Sequence, residues 1–298
     1  MNSYSDLKRG QETWISKVFR IVNSIICFIL AFISVNYLSW FAMAFVGKFF
    51  KCDAIVYSYG IKFITPVDPE LFWNKIKIIL IFSTPVLFPL LFGLACLYIY
   101  DKTKGIKSVL NLYLAWGFMI GTITFATQNV IASLGLGQVN SEYYRNLAVV
   151  YSWLRIPIPL VYILNIPFAI VFLYFSKHAV RPFLLFAYSF TKVNKLSRRR
   201  KYYIETMALP FILGSITVLC LKFYVGLIHD MFIILLYFVG MGISMLYGIY
   251  SLGETEIMKD EVLKYKSLQE ANYFLPVLLI VVCGLVYLAR QGVYLSFN

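Results

Sequence analysis

Residues 18–50 read VFRIVNSIICFILAFISVNYLSWFAMAFVGKFF, an apolar run with two cations and no acid. A helix needs about 20 mostly apolar residues to cross the roughly 30 Å hydrocarbon core of a bilayer. The run is longer than one perpendicular crossing requires, so two readings stay open. It is either one strongly tilted helix, or a helix that breaks near Asn36 and continues at the interface or returns as a hairpin. Both readings predict a protein of the membrane.

Further apolar runs follow, and they define the fold class. Of the 298 residues 60% are hydrophobic and 14% are charged, against about 25% charged in soluble domains. Backbone polar groups find no water in lipid, so spanning segments of this kind form helices. We therefore predict an all-α integral membrane protein, a single polytopic domain over residues 1–298 with about seven transmembrane helices (six to eight) and no large soluble domain. The predicted further spans are about 77–100, 109–134, 156–175, 208–228, 231–252 and 273–289.

The distribution of positive charge predicts the orientation of the chain. With seven spans, one side of the membrane holds 18 of the 27 Lys and Arg residues, the other side holds eight, and Lys222 falls within a span. Loops rich in Lys and Arg remain on the cytoplasmic side. We expect a cytoplasmic N-terminus and an external C-terminus, with the bacterial inner (plasma) membrane as location. Because the net charge of +13 lies in loops between spans, we expect anionic lipid headgroups as partners and no nucleic acid.

The strongest charge cluster is a predicted basic cytoplasmic loop over residues 176–207. It contains eight Lys or Arg residues and one acid, Glu205. Aromatic residues beside clustered cations suit an interfacial helix on an anionic leaflet, and an acidic protein partner is the alternative. The candidate lipid- or partner-binding residues are Arg181, Lys192, Lys195, Arg198, Arg199, Arg200 and Lys201.

Polar and small residues inside the spans give two more candidate sites. Ionisable residues in a membrane helix are functional candidates by default, and Lys222 is one, with snorkelling to the nearby interface as the alternative. Together with Gln128, Asn129 and Asn165 it forms a candidate intramembrane polar site. The predicted spans contain no Asp or Glu, which disfavours coupling to protons or sodium. Small residues permit close helix packing, and the candidate packing residues are Gly240, Gly242 and Gly248.

Catalytic motifs are missing from the sequence. Its two histidines, His178 and His229, fall in predicted loops on opposite faces, and H-E-x-x-H, G-x-S-x-G and phosphate-binding loops do not occur. We predict no catalytic residue, no metal site and no cofactor, and we consider an enzyme the less favoured class.

One family resemblance rests on short motifs over about half of the chain. Residues 49–60, FFKCDAIVYSYG, are similar to the Gly-bounded β segment of site-2-protease-type intramembrane metalloproteases. Ser83-Thr84-Pro85 is similar to the opening of the family's next span. Pro157-Ile158-Pro159 is similar to the proline-rich segment that precedes a metal ligand in the family. The family's metal-binding stretch would fall on residues 37–41, YLSWF, which contain neither a ligand nor a general-base glutamate. The resemblance implies a degenerate relative without metal, and it places the β segment on the cytoplasmic side, against the charge bias.

Three functions remain open from the sequence. The first is a non-enzymatic polytopic protein that acts as a subunit or scaffold of a larger membrane assembly, with other membrane subunits as partners. The second is a transporter or channel for a small or lipidic solute, which requires a polar cavity along Gln128, Asn129, Ser133, Asn165 and Lys222. The third is a degenerate intramembrane-protease-like protein.

Overall fold

The computed structural model describes residues 14–58, 60–65, 68–103, 108–134, 146–187, 190–225, 228–255, 257 and 272–296. Helices dominate these residues, and a small sheet joins the segment after the first long helix to the last described residues of the chain. The α-helices are Trp14–Phe49, Pro69–Phe72, Lys75–Thr103, Ser108–Ser133, Asn146–Leu154, Ile158–Ile163, Asn165–Leu185, Leu196–Tyr203, Leu209–Val225, Ile228–Ser251 and Phe274–Leu288. Short 3₁₀ turns lie at Phe190–Lys192 and Ala289–Gln291, and a π-helical turn at Ile204–Ala208.

Seven helical segments among the described residues are long and apolar enough to cross a membrane, which confirms the predicted number. Their length and composition indicate an integral membrane protein. We number them span 1 to span 7: Trp14–Phe49, Lys75–Thr103, Val109–Ser133, Ile158–Leu185, Leu196–Leu221, Ile233–Ser251 and Phe274–Gln291.

Span 1 is one uninterrupted helix of 36 residues. Of the two interpretations of the first apolar run, the single helix is therefore the one observed. At 1.5 Å per residue it is about 54 Å long, so it must tilt or extend beyond the hydrocarbon. Asn36 does not break it, since its side-chain amide donates to the Phe32 carbonyl one turn back at 2.8 Å. The helix ends where Lys51 adopts a positive φ of 57° and the Cys52 amide donates to the Gly47 carbonyl at 3.2 Å, a Schellman-type stop.

The sheet is the main departure from an all-α fold. Strands β1 (Asp53–Tyr57) and β2 (Gly60–Ile64) form an antiparallel hairpin, and β3 (Val293–Leu295) pairs with the other edge of β1. Residues of β1 alternate between half-buried and buried, with Ala54 and Val56 facing inward, as a strand with one packed face requires. The pairing places the end of span 7 beside the end of span 1.

The core of the bundle is an aromatic cluster drawn from five spans. Phe28 lies edge-on to Trp116 with ring centroids 5.0 Å apart, and Trp116 meets Phe183 at 4.7 Å. Phe211 and Phe238 complete it, at 5.7 and 6.2 Å from Phe28. The Phe28–Phe238 pair is tilted, and the other three contacts are edge-to-face, a geometry that contributes about 0.5–1.5 kcal/mol per pair beyond area burial. Spans 1, 3, 4, 5 and 6 therefore converge on one point.

Candidate functional site

The segment predicted as a basic loop is mostly helical. Span 4 continues to Leu185, well past the predicted end near residue 175, and span 5 begins at Leu196 instead of near residue 208. Both predicted spans ended where charged residues begin, whereas the backbone hydrogen bonds of a helix continue past charged side chains. The connection between the two helices is therefore about ten residues long.

Two of the candidate binding arginines are engaged by backbone carbonyls. Arg199 donates from Nε to the Val193 carbonyl at 2.5 Å, and from Nη1 to the carbonyls of Leu252 and Thr255 at 3.2 and 2.5 Å. Leu252 and Thr255 directly follow span 6, where helix carbonyls lack intrahelical donors. Arg198 donates to the Thr191 carbonyl at 3.0 Å. Arg199 thus ties the start of span 5 to the end of span 6.

The other candidate cations are more open to their surroundings. Arg181, Lys195, Arg200 and Lys201 are exposed, and Lys192 is half-buried. Arg200 lies one helical turn from exposed Leu196 and from exposed Ile204, because residues four apart share a helix face. The start of span 5 therefore presents an apolar–cationic–apolar line, here called the cationic face (Leu196, Arg200, Ile204), and Lys201 is exposed beside it.

Glu205 forms the most buried charge cluster described. Arg20 of span 1, whose side chain is 2% exposed, approaches Glu205 Oε2 with Nη2 at 3.2 Å, and Lys17 approaches Oε1 at 2.7 Å. Arg20 Nη1 also donates to Thr206 Oγ1 at 2.5 Å, and its guanidinium carbon lies 4.6 Å from the centre of the Tyr202 ring. We call Lys17, Arg20, Glu205 and Thr206 the ion cluster.

The acid of the ion cluster lies on the helix of span 5, in the segment that was predicted as a basic loop. Glu205 and Thr206 belong to the π-helical turn of span 5, and the Ser24 hydroxyl donates to the Thr206 carbonyl at 2.8 Å. Sequence reasoning missed the cluster because its partners are about 185 positions apart. The available signal was Arg20, a cation at the third position of the first apolar run, where a partner would allow it to be buried.

Three predicted polar residues meet on the opposite half of the bundle. Asn129 donates to Asn165 Oδ1 at 2.7 Å and to the Val161 carbonyl at 3.1 Å, and it accepts from the Tyr151 hydroxyl at 2.5 Å. Asn165 in turn donates to Ser133 Oγ at 3.4 Å. This asparagine cluster joins span 3 to span 4 and to the helix Asn146–Leu154.

Gln128 and Lys222 lie apart from the asparagine cluster. Buried Gln128 donates from Nε2 to the Tyr237 hydroxyl of span 6 at 2.7 Å, while its Oε1 has no hydrogen-bond partner among the described residues. Lys222 lies in the helix Leu209–Val225, and its side chain lies outside the described part of the chain. The side chain of His229 does as well. The polar residues thus form separate interhelical contacts where described.

The glycines of span 6 differ in what surrounds them. A Cβ atom on Gly240 would lie 2.6 Å from Thr127 Cγ2, and one on Gly248 would lie 2.6 Å from the Tyr203 hydroxyl and 2.8 Å from Val180 Cγ2. On Gly242 the nearest atom would be Phe211 Cε1 at 4.0 Å. Close approach to neighbouring helices therefore depends on Gly240 and Gly248, and Gly242 has room for a side chain.

The described residues offer no group of three or more His, Cys, Asp or Glu side chains that could hold a metal. His178 is exposed, and its ring lies 4.5 Å from that of Tyr174. Residues 37–41, where the resemblance places the metal-binding stretch, lie on span 1 and carry no metal ligand. Ser83-Thr84-Pro85 lies inside span 2, and residues 53–64 form the hairpin after span 1.

Two groups in or beside the sheet have shifted pKa values. Burial raises the pKa of the Cys52 thiol to about 12, so this thiol is protonated and unreactive at neutral pH. The Tyr294 hydroxyl donates to Asp53 Oδ2 at 2.9 Å, and this hydrogen bond to a carboxylate raises the pKa of Tyr294. Both groups stabilise the sheet in their protonated forms.

Comparison of the chain with models of protein families, with curated proteins and with solved structures finds no match.

Proposed function

We propose that this chain is a non-enzymatic polytopic membrane protein that works through contacts, as a subunit or scaffold of a larger membrane assembly. The observation that carries the proposal is the asparagine cluster. A transporter would need Asn129 and Asn165 to face a polar cavity, but they hydrogen-bond to each other and to neighbouring helices. Polar groups used in this way fasten helices together.

Span 4 is the surface that we assign to a protein partner. Within its most apolar 18-residue window only 6% of residues are buried, against 78% for span 3. Its outward side chains include Tyr162 and Tyr174, 53% and 60% exposed, among large aliphatic residues such as Ile170. Aromatic residues such as tyrosine are enriched at protein interfaces, which supports this assignment.

Photo-crosslinking from within span 4 tests this proposal. A benzophenone amino acid is placed at Ile170, 63% exposed, and at Leu91 of span 2, which is also 63% exposed on another surface. We expect a discrete protein adduct of constant mass from Ile170 and only lipid adducts from Leu91. Lipid adducts alone at both positions, with a native mass equal to one chain, would refute the assembly role.

We further propose that the N-terminus is cytoplasmic, in a bacterial inner membrane. The charge bias supports this orientation, with 18 of 27 cations on the side of the N-terminus. The pairing of β1 with β3 supports an even number of crossings between them, as spans 2 to 7 provide. Fusions after residue 298 test it: alkaline phosphatase activity without green fluorescence is expected, and the reverse pattern contradicts the orientation.

The cationic face and its neighbour Lys201 are proposed to contact anionic headgroups of the cytoplasmic leaflet. Each Lys or Arg near such a surface contributes about 1 kcal/mol. Changing Arg200 and Lys201 to Gln is expected to weaken cosedimentation of a peptide spanning residues 190–208 with phosphatidylglycerol vesicles. Equal binding of the wild-type peptide to phosphatidylcholine vesicles would argue against this contact.

A further inference from the structure

Two buried oxygen atoms on span 3 have no hydrogen-bond partner among the described residues. They are Oε1 of Gln128 and Oγ1 of Thr124. The two residues are only 4% and 5% exposed, so bulk water does not supply the missing bonds. A buried polar atom without a partner is unfavourable, and the hydrocarbon around a membrane helix offers it none. The two oxygens therefore call for a ligand that can hydrogen-bond to them.

The hydroxyl of Thr124 differs from those of its neighbours on span 3. Thr122 donates to the Phe118 carbonyl at 2.7 Å, and Thr127 donates to the Ile123 carbonyl at 2.9 Å. A threonine inside a helix satisfies its hydroxyl in this way, by a bond to the carbonyl four residues earlier. Thr124 makes no such bond, so its hydroxyl remains available to a partner outside its own helix backbone.

Helix geometry brings the two oxygens close together. Thr124 and Gln128 are four residues apart, so they share a face of the helix with Cβ atoms about 5–6 Å apart. Side chains in a helix lean toward its N-terminus, which extends the Gln128 amide over Thr124. A molecule that bonds to both oxygens at about 2.8 Å can join atoms up to roughly 5.6 Å apart. Ser215 and Ser244 also have unpartnered hydroxyls, but neither has a second such atom three or four residues away.

Span 6 fixes the orientation of the Gln128 amide. Its Nε2 donates to the Tyr237 hydroxyl at 2.7 Å, which leaves Oε1 as the acceptor without a partner. Tyr237 packs with Ile131 and Ile233, 1% and 4% exposed, in a buried apolar cluster. The aliphatic side chains beside the tyrosine carry no donor for Oε1. The missing hydrogen bond must therefore come from a ligand between spans 3 and 6.

From these observations we infer that Thr124 and Gln128 bind one buried water molecule between spans 3 and 6. An amide oxygen accepts only, whereas a hydroxyl oxygen donates or accepts, so a water molecule can donate one hydrogen to each. Ca²⁺ and Mg²⁺ take about six or more oxygen ligands, and two neutral oxygens are too few for them. Buried water of this kind pairs polar groups that are otherwise unsatisfied. The site does not depend on the protein partner or the headgroup contact proposed above.

The sign of a stability change tests the site, because Thr124→Val removes the hydroxyl and keeps the shape of the side chain. If a water molecule is bound, equilibrium unfolding in detergent micelles should show a folding constant lowered by about fivefold or more. Removing a hydroxyl that bonds to nothing would instead leave the constant unchanged or raise it, and either result would overturn the inference. Thr122→Val is the matched control, and an equal loss there would also overturn it. The losses in Thr124→Val and Gln128→Met should not multiply in the double variant, because both remove the same water.

Radiolytic footprinting detects the water itself and needs only the wild-type protein. X-rays convert bound water into hydroxyl radicals, which oxidise the side chains next to it, and mass spectrometry locates the products. In nanodiscs we expect oxidation of Tyr237, whose hydroxyl is bonded to Gln128, and little oxidation of the reference Tyr203, which is 0% exposed. The oxidation of Tyr237 should be lost in Thr124→Val and persist in Thr122→Val. Equal oxidation of the two tyrosines in the wild type, or oxidation of Tyr237 that Thr124→Val does not change, would overturn the inference.

Discussion

The ion cluster allows a quantitative prediction, because Arg20 and Glu205 differ in how many oppositely charged partners are described for each. Arg20 is 2% exposed and has Glu205 as its anionic partner, whereas Glu205 is 16% exposed and also holds Lys17 at 2.7 Å. Removing one partner of a buried ion pair costs about 3–5 kcal/mol, mostly because the other charge remains buried. The two single substitutions should therefore differ.

Glu205→Gln is expected to lower the free energy of unfolding by about 4 kcal/mol, near the middle of that range. Among the contacts described, it leaves the guanidinium beside the neutral Thr206 hydroxyl and the Tyr202 ring. Arg20→Met is expected to cost about 2 kcal/mol, the value of a charged hydrogen bond, because Lys17 still neutralises the carboxylate. The double variant should cost about 4 kcal/mol, which is less than the two single costs together, because it buries no lone charge.

Equilibrium unfolding in mixed micelles of dodecyl sulfate and a mild detergent measures these values. Exposed Cys220 and half-buried Cys283 are first replaced by Ala in every variant. Cys27 and Cys96 are buried, 0% and 4% exposed, so their reaction with a fluorogenic maleimide then reports unfolding. Lys17→Gln is the matched control, since exposed ion pairs contribute only about 0–1 kcal/mol. A smaller loss for Glu205→Gln than for Arg20→Met, or strictly additive single costs in the double variant, would refute this account of the cluster.

Three further predictions use the same unfolding assay or a local probe. Gly248→Ala is expected to destabilise by about 1–3 kcal/mol through overpacking, whereas Gly242→Ala should change stability by less than about 0.5 kcal/mol; equal costs would contradict the packing described. Asn129→Leu should lower the free energy of unfolding by about 2–3 kcal/mol, because it removes the partner of three hydrogen bonds. An unchanged free energy of unfolding would show that the asparagine cluster does not stabilise the packing of these helices. Tyr294→Phe should raise hydrogen exchange in β1 at neutral pH, and the difference from wild type should vanish as pH rises through the raised pKa of Tyr294, above about 10, because a raised folded-state pKa stabilises only while the proton is bound. A difference that persists at that pH would show that the hydrogen bond to Asp53 is not its source.

Length and hydropathy were enough to predict the seven spans, because each needs only a sufficient number of apolar residues. They were not enough to predict where the helices end. Residues 176–185 and 196–207 contain several charged residues yet are helical, and hydropathy does not detect a helix that continues through charged residues. Asn36 shows the complementary difficulty: an amide inside an apolar run predicts a break, but its local bond to the Phe32 carbonyl removes the reason for one.

Contacts between residues far apart in the chain could not be predicted from the sequence, for a physical reason. β3 is three residues long, too short to show a strand period, and becomes a strand only because β1 lies beside it. Arg20 and Glu205 each look like surface charges until two helices bring them together. Asn129 and Asn165 were predicted as part of an intramembrane polar site with Gln128 and Lys222, but sequence alone cannot distinguish a polar cavity from a hydrogen bond between helices.

Polar and strand contacts that join different spans lie at both ends of the bundle, and this arrangement bears on function. At the end near the N-terminus of span 1 the ion cluster joins spans 1 and 5, and Arg199 joins spans 5 and 6. At the other end β3 joins the end of span 7 to the hairpin after span 1. Alternating access requires one part of a bundle to rock against the other. Such a motion would have to break the contacts between spans at one end in each cycle. A bundle held at both ends is better suited to presenting fixed surfaces, which is what a subunit or scaffold does.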